Sequence, residues 1–213
     1  MNQQAGSNSR ANMNLEKLEV CWQGRFPCCE PVGHRLRLAY PERWVRFHSL
    51  PKSKRYPEGE HEYEIVLERC NSILGKFVRP GELLYLLTTG CSQATEPARS
   101  DPQLLELDPD ALPWRSVAMH KGAGGFDDPT YWDDPTYWHV FASQRDWHPG
   151  VFNPLLRLVA NWVLVNVMFV ALDGGWLIHP YDGGMNVIVG SAAQRDILKA
   201  RHADWLSIRE DGL

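Results

Sequence analysis

The C-terminal part of the chain alternates short apolar segments with turn residues more regularly than any other part. Val163–Ala171 is apolar apart from Asn166 and rich in β-branched residues, a pattern typical of a strand buried on both faces. A turn with two glycines follows and leads into a second predicted strand, Trp176–His179. Pro180–Gly184 predicts another turn, and Met185–Val189 predicts a third strand. Together these segments predict a C-terminal β-meander.

The predicted meander should supply much of the hydrophobic core. We expect Val165, Met168 or Phe169, Leu177 and Val187 to be buried within one sheet and against the helix that faces it. A charge introduced into this set would be buried without a partner, so such a substitution should strongly destabilise the protein.

Three segments carry helix signals. Ser191 and Gln194 have the spacing of a capping box after the last predicted strand. Apolar residues recur every three or four positions between Tyr63 and Phe77, as on one face of a helix. Asn153 and Pro154 form a suitable N-cap and first helical residue. The predicted helices cover residues 61–77, 154–162 and 191–203.

The rest of the chain completes an α+β pattern. Leu15–Trp22 fits either a strand or a short helix, His34–Tyr40 a helical turn, and Cys91–Leu112 a long polar surface loop. Further strands are predicted at Trp44–Leu50, Leu83–Thr89, Trp114–Met119 and Thr136–Ser143. We therefore predict one α+β domain over residues 15–213, an antiparallel sheet of five to seven strands with helices packed on it. Residues 1–14 are polar and aperiodic, and we expect a disordered tail.

Composition narrows the classes of function. The formal charge of −4 argues against a nucleic-acid partner, which requires a basic surface. The longest apolar run, Trp162–Leu172, is too short to cross a bilayer, and no apolar leader is expected. The five cysteines include no CxxC pair, which favours reduced thiols. These features predict a cytoplasmic protein without a membrane partner.

A hexapeptide repeat stands before the strand at 136–143. Asp127–Trp132 recurs as Asp133–Trp138. One interpretation is a duplication tolerated in a loop. Another is an acidic, aromatic edge that binds a partner. The candidate residues of this edge are Asp127, Asp128, Tyr131, Trp132, Asp133 and Asp134. In either case we expect an exposed excursion, with Trp132 exposed and Trp138 buried by the following strand.

Two groups of residues are candidates for chemistry. His179, Tyr181 and Asp182 lie between two predicted strands and could line one pocket, with polar groups from His48 or His139 nearby. His179 could then act as a base that Asp182 orients. The alternative is a purely structural Asp-Gly-Gly turn. A second group of four could bind an anion or could form only a solvated basic loop. Its members are Arg46, His48, Lys52 and Arg55. The sequence contains no nucleophile-elbow, zinc-protease or phosphate-loop motif, and we expect no cofactor and no metal.

Eight segments together resemble a known family. They are Arg43–Pro51, Ser53–Pro57, Tyr63–Asn71, Thr88–Gly90, Trp114–His120, Asp134–His139, His179–Gly184 and Arg201–Ser207. Between about Glu30 and Leu213 the chain resembles an uncharacterised bacterial domain family of unknown function described as Rhs-associated. The resemblance implies the genetic neighbourhood of polymorphic toxins, where small cytosolic proteins act as immunity partners. The doubled hexapeptide departs from the family pattern.

Two hypotheses of function follow. The first is a non-enzymatic protein-binding module, such as an immunity partner that binds a basic, toxin-like protein through the acidic edge. The alternative is an enzyme that processes a small molecule or a phosphate at a site around His179–Asp182. The sequence leaves the oligomeric state open.

Overall fold

An antiparallel sheet of seven strands forms the centre of the computed structural model, which describes residues 15–119, 136–171 and 174–209. The strands are β1 (Trp44–His48), β2 (Leu83–Ser92), β3 (Leu112–Ala118), β4 (Tyr137–Asp146), β5 (Met168–Ala171), β6 (Trp176–Tyr181) and β7 (Gly184–Ile188). Their order across the sheet is β1-β7-β6-β5-β2-β4-β3. The helices are α1 (described from 15 to 25), α2 (Gly33–Ala39), α3 (Glu60–Leu74), α4 (Pro102–Leu107), α5 (Asn153–Ala160) and α6 (Ala192–Arg201). The predicted α+β class, with a C-terminal meander and a final helix, is confirmed.

Helices cover both faces of this sheet. On one face α3, α5 and α6 pack against the strands, and Ile73, Leu156 and Leu198 enter the same apolar cluster as Phe169 and Val187. On the other face α1 and α2 contribute a second cluster. That cluster includes Leu18, Trp22, Phe26, Leu36, Met168 and Leu177. The central strands are therefore buried on both sides, which explains their nearly continuous apolar sequence.

The C-terminal meander has the predicted order of strands. Phe169 pairs with Ile178, and Ile178 pairs with Val187, so these residues lie side by side on one face. The turn before β6 contains Gly175 at a φ of 61°, in the left-handed region that glycine adopts readily. The β6–β7 turn is short, because Tyr181 already pairs with Gly184. A Cβ on Gly184 would lie 2.3 Å from the carbonyl oxygen of Phe47, so β1 can approach β7 here only because residue 184 is glycine.

The predicted strand Val163–Ala171 is wrong in its first half. Only Met168–Ala171 is extended and paired. Trp162 and Asn166 have φ values of 57° and 54°, which no strand accommodates. As a result Val165, which we expected in the core, is 42% exposed, whereas Met168, Phe169, Leu177 and Val187 are buried as predicted.

Other boundaries also differ from the prediction. Leu15–Trp22 is helical, within α1. The predicted loop Cys91–Leu112 contains α4, whose N-cap Asp101 accepts hydrogen bonds from the backbone of Gln103 and Leu104. Asp101-Pro102 is an N-cap and first-turn pair that the loop prediction overlooked. Asn153 is the first residue of α5 and Phe152 the N-cap.

Several sequence-based predictions fall partly or wholly outside the described residues. The N-terminal tail 1–14 and the acidic edge 127–134 are among them. Trp138, the last residue of the hexapeptide repeat, lies within the described residues and is buried, as predicted. The five cysteines are free thiols. In the described part of the chain, each helix is too short or too polar to span a bilayer.

Candidate functional site

A cavity of about 270 Å³ lies on the face of the sheet that α2 covers. Three polar residues on neighbouring strands form part of its wall. Arg46 on β1 pairs with Asn186 on β7, which in turn pairs with His179 on β6. Residues paired across antiparallel strands point to the same face, so these side chains are adjacent. Tyr181 is two residues beyond His179 and shares its face.

The beginning of α2 lies directly against His179. A Cβ on Gly33 would be only 2.3 Å from Cδ2 of His179, so glycine allows the helix to start in contact with the imidazole ring. His34 and Arg37, one helical turn apart, then line the cavity. The short helix therefore brings a second basic group to the face that already carries Arg46.

Asn166 fixes the segment that leads into α2. Its side-chain oxygen accepts a hydrogen bond from the backbone N–H of Gly33 at 2.7 Å. Its amide donates to the carbonyl of Pro31 at 3.0 Å and to the hydroxyl of Thr89 at 2.9 Å. Asn tolerates the left-handed conformation found here better than most residues. This buried residue thus ties α2 and β2 to the segment that precedes β5.

A chain of hydrogen bonds determines which ring nitrogen of His179 carries the proton. The indole N–H of Trp44, which can only donate, is 2.9 Å from Oδ1 of Asn186. The amide Nδ2 of Asn186 therefore faces Nδ1 of His179, at 3.2 Å, and Nδ1 must accept. Burial lowers the pKa of His179 to about 3, and the charge of His34 adds to this effect. At neutral pH His179 is uncharged and carries its proton on Nε2.

Tyr181 and Asp182 occupy the same cavity with different partners. Burial raises the pKa of Tyr181 to about 12, although the nearby Arg46 and Arg37 oppose the shift. The guanidinium carbon of Arg46 lies 5.4 Å from the centre of the Tyr181 ring. Asp182, only 6% exposed, accepts a hydrogen bond of 2.6 Å from Nε of Arg55. Asp182 therefore neutralises Arg55 and does not orient His179, contrary to the arrangement expected for a catalytic base.

The cavity carries more positive than negative charge. Three arginines line it, whereas Asp182 is the only carboxylate among its described lining residues. Within the described part of the chain, neither Arg37 nor Arg46 forms an ion pair with a carboxylate, and Nε of Arg46 is buried without a hydrogen-bond partner. Two guanidinium groups thus face the cavity without a compensating charge.

The other end of the cavity is apolar. Trp162, Leu164 and Val165, from the segment before β5, line it together with Trp138 on β4. The ring of His34 meets that of Trp138 edge to face, with centroids 6.1 Å apart. Since β1 and β4 are separated by four strands in the sheet, Arg46 and Trp138 lie on different sides of the cavity.

The structure brings together only some of the residues that the sequence suggested. His179, Tyr181, Asp182, Arg46 and Arg55 line the cavity. Three other candidates do not line it. His48 is buried and contacts the hydroxyl of Ser53 at 3.1 Å, Lys52 is exposed in a short turn, and His139 is held between Ser92 and Ser116.

Sequence reasoning missed the contributions of α2 and β7. His34 and Arg37 have the spacing of one helix face, which was a usable signal. Asn186 lies in an apolar strand, and its role depends on a pairing with β1 that the sequence does not show. Across the described residues, no group of three or more His, Cys, Asp or Glu side chains is arranged to hold a metal ion.

Comparison with known families places the chain. Residues 32–210 match the family model described as "Domain of unknown function (DUF3885)". The chain belongs to this family. Searches of curated proteins and of solved structures found no significant match. The DUF3885 family is described only as a domain of unknown function, so the match assigns no activity to the arginine-lined cavity.

Proposed function

We propose that this protein binds a small anionic molecule in the cavity beneath α2. The observation that carries the proposal is the pair Arg37 and Arg46, which face the cavity without a carboxylate partner among the described residues. Removing guanidinium groups from water is costly unless an opposite charge compensates. A phosphate or carboxylate would supply that charge and accept bidentate hydrogen bonds.

The same geometry favours binding over catalysis. Asp182 is engaged by Arg55, and Nδ1 of His179 faces a donor, the amide of Asn186. The phenol of Tyr181 has a pKa near 12 and keeps its proton at neutral pH. All three candidate residues are thus committed to roles other than that of a free general base. The sequence suggested, as its alternative, an enzyme that processes a small molecule or a phosphate around His179–Asp182. The site proposed here lies at the same place and binds an anion without a chemical step.

Substitution of the arginines tests this proposal. Isothermal titration with inorganic phosphate should show binding to the wild type, weakened by about tenfold or more in Arg46→Gln and Arg37→Gln, because each removes a charge-assisted contact. Arg79→Gln is the matched control, since Arg79 is 87% exposed and pairs with Glu82 away from the cavity. The Arg46→Gln protein without ligand should be at least as stable as the wild type, because an uncompensated charge is removed.

Two results would contradict the anion site. One is a wild-type protein to which neither phosphate nor a simple carboxylate binds. The other is Arg46→Gln binding phosphate as tightly as the Arg79→Gln control. A large loss of stability in Arg46→Gln would mean that the arginine is a structural group.

A protein partner remains our second proposal. Trp162, Val163 and Val165 are 51%, 52% and 42% exposed, and Trp162 and Val165 also line the cavity; an exposed apolar segment of this kind suits a protein interface. By the resemblance, the partner would be a basic Rhs-type toxin, and this chain its immunity protein in a bacterial cytoplasm. Pull-downs with the wild type and with a variant lacking Asp127–Trp132 test the acidic edge. A basic protein held by the wild type and lost by the deletion supports it; equal retention contradicts it.

A further inference from the structure

The cavity has two chemically different ends, and a ligand that fills it must match both. The basic end is formed by Arg37, Arg46 and Arg55, and the apolar end by Trp138, Trp162, Leu164 and Val165. A free inorganic anion would use only the first. Given the anion site proposed above, we propose that the ligand is a phosphate monoester of a flat, ring-containing group, with the phosphate at the arginine end and the ring at the indole end.

The charge count favours a phosphate monoester over a carboxylate. Arg55 is already neutralised by Asp182, while Arg37 and Arg46 are not paired with a described carboxylate. Arg46 lies 5.4 Å from the centre of the Tyr181 ring, and Arg37 lines the same cavity. Two uncompensated guanidinium groups are matched by a group that carries roughly −1.5 to −2 charges near pH 7, which is a phosphate monoester and not a carboxylate. Neutral His179 adds no third positive charge to this end.

The apolar end favours a ring. The indoles of Trp138 and Trp162 line this end of the cavity together with the aliphatic side chains of Leu164 and Val165. The φ of 57° at Trp162 is a strained conformation, of the kind that accumulates at ligand-binding positions. Flat rings such as nucleic-acid bases stack favourably on aromatic side chains. A flat ring at this end would contact indole and aliphatic side chains.

The size of the cavity limits the ligand. A volume of about 270 Å³ lies just below the usual range of small-molecule sites, about 300–1,000 Å³. It suits one ring with one phosphate better than a dinucleotide. The side-chain amides of Asn166 and Asn186 already form hydrogen bonds with protein groups. They therefore have few donors and acceptors left to hydrogen-bond with the edge of a nucleobase. The site should therefore select for a flat ring and a dianion more than for one particular base.

Comparison of simple ligands tests the two ends separately. Phenyl phosphate should bind the wild type about tenfold more tightly than inorganic phosphate, because the ring adds an aromatic contact. Benzoate, which has the ring but only one charge, should bind about tenfold more weakly than phenyl phosphate. Titration calorimetry gives all three affinities, and quenching of indole fluorescence reports the approach of the ring.

Variants of Trp162 test whether its indole contacts the ring of the ligand. Trp162→Ala should reduce the advantage of phenyl phosphate over inorganic phosphate to about threefold or less, whereas Trp162→Phe, which keeps a ring, should retain most of it. Val163→Ala is the control, because Val163 is equally exposed but does not line the cavity. Melting temperatures of all variants establish that they fold.

The possible failures are distinguishable. If phenyl phosphate and inorganic phosphate bind the wild type equally, and Arg46→Gln weakens both, the anion site stands and the ring inference is overturned. If benzoate equals phenyl phosphate, the preference for a dianion is overturned. If Trp162→Ala retains the full advantage of phenyl phosphate, the ring does not contact this indole. If none of the ligands binds the wild type, the proposed function itself has failed.

Discussion

At the scale of single residues, the indole N–H of Trp44 controls the chemistry of a side chain it does not touch. Because that N–H only donates, it fixes the orientation of the Asn186 amide, which then presents donors to Nδ1 of His179. A second proton on His179 would face that amide, so the neutral form is favoured in addition to the effect of burial. The sequence marked His179 as a candidate base, but its role depends on Asn186 on the next strand and, through it, on Trp44, which is distant in the chain.

This arrangement predicts how stability depends on pH. The pKa of His179 is about 3 in the folded protein, against 6.5 for an ordinary histidine. Between these values the unfolded chain binds the additional proton, so the free energy of unfolding decreases as the pH falls from 6.5 towards 3. The slope is up to about 1.4 kcal/mol per pH unit for one group. Urea unfolding of His179→Gln and wild type at about pH 7.5 and about pH 5 should show a shallower acid dependence for the variant.

Two comparisons make this prediction specific. Burial also lowers the pKa of His48 and of His202, so some acid dependence should persist in His179→Gln. His61→Gln is the control, because the His61 side chain is 86% exposed, and its slope should match the wild type. Asn186→Asp should raise the pKa of His179 in an NMR titration, since a carboxylate favours the imidazolium ion. An unchanged slope in His179→Gln would show that this histidine is not held neutral by the fold.

At the scale of elements, the segment between α5 and β5 shows where sequence patterns mislead. Residues 163–171 have the composition of one long buried strand, yet only Met168–Ala171 is paired. Composition reports burial and β-propensity, but it does not report a left-handed residue that redirects the chain. Asn166 was the one polar residue in this run, and it was the one sign in the sequence that the strand does not extend through residues 163–167. Its partners Gly33, Pro31 and Thr89 could not be foreseen, because they come from elements far away in the sequence.

Asn166 should therefore be more important for stability than its neighbours. Asn166→Ala leaves the Gly33 N–H and the Pro31 carbonyl without their partner, and we expect a loss of about 2–4 kcal/mol in the free energy of unfolding. Asn166→Gly loses the same hydrogen bonds but relieves the strain at a φ of 54°, so it should be less harmful than Asn166→Ala by about 1 kcal/mol. Chemical denaturation measures both.

The neighbouring Val165 provides the control for this comparison. It is 42% exposed, and Val165→Ala should change the free energy of unfolding by less than about 1 kcal/mol. Asn166→Ala should also weaken phosphate binding, because Gly33 begins the helix that presents Arg37. If Asn166→Ala were as mild as Val165→Ala, the hydrogen bonds to Asn166 would not hold α2 in place.

At the scale of the whole molecule, the elements were easier to predict than the site. Periodicity and turn residues identified the C-terminal meander and α3, because each depends on neighbours in the chain. The cavity instead depends on pairing β1 with β7 and on laying α2 over His179. These contacts join segments at opposite ends of the sequence, and no local pattern specifies them. The same is true of α1, whose short amphipathic segment was ambiguous until its partner face of the sheet was known.

The two-sided burial of the sheet leads to a last prediction, about cooperativity. Val187 is completely buried, pairs with Val45 and Ile178, and lies in the cluster that joins the sheet to α3, α5 and α6. Val187→Asp would place an unpaired carboxylate there, and we expect a loss of more than about 3 kcal/mol, a large part of the 5–15 kcal/mol typical of a domain. Val20→Asp, on the exposed side of α1 with 74% exposure, should cost less than about 1 kcal/mol.

The way in which Val187→Asp unfolds distinguishes one cooperative core from two independent layers. Both helix layers pack on the same strands, so far-UV circular dichroism and the fluorescence of buried Trp22 and Trp176, one in each layer, should be lost together in urea. Separate transitions would show that the α1–α2 layer persists after the opposite layer has opened. A melting temperature equal to that of Val20→Asp would contradict the placement of Val187 at the centre of the sheet. A coincident transition at lower urea concentration is the expected result, because the strands that carry Arg46 and His179 are held from both faces at once.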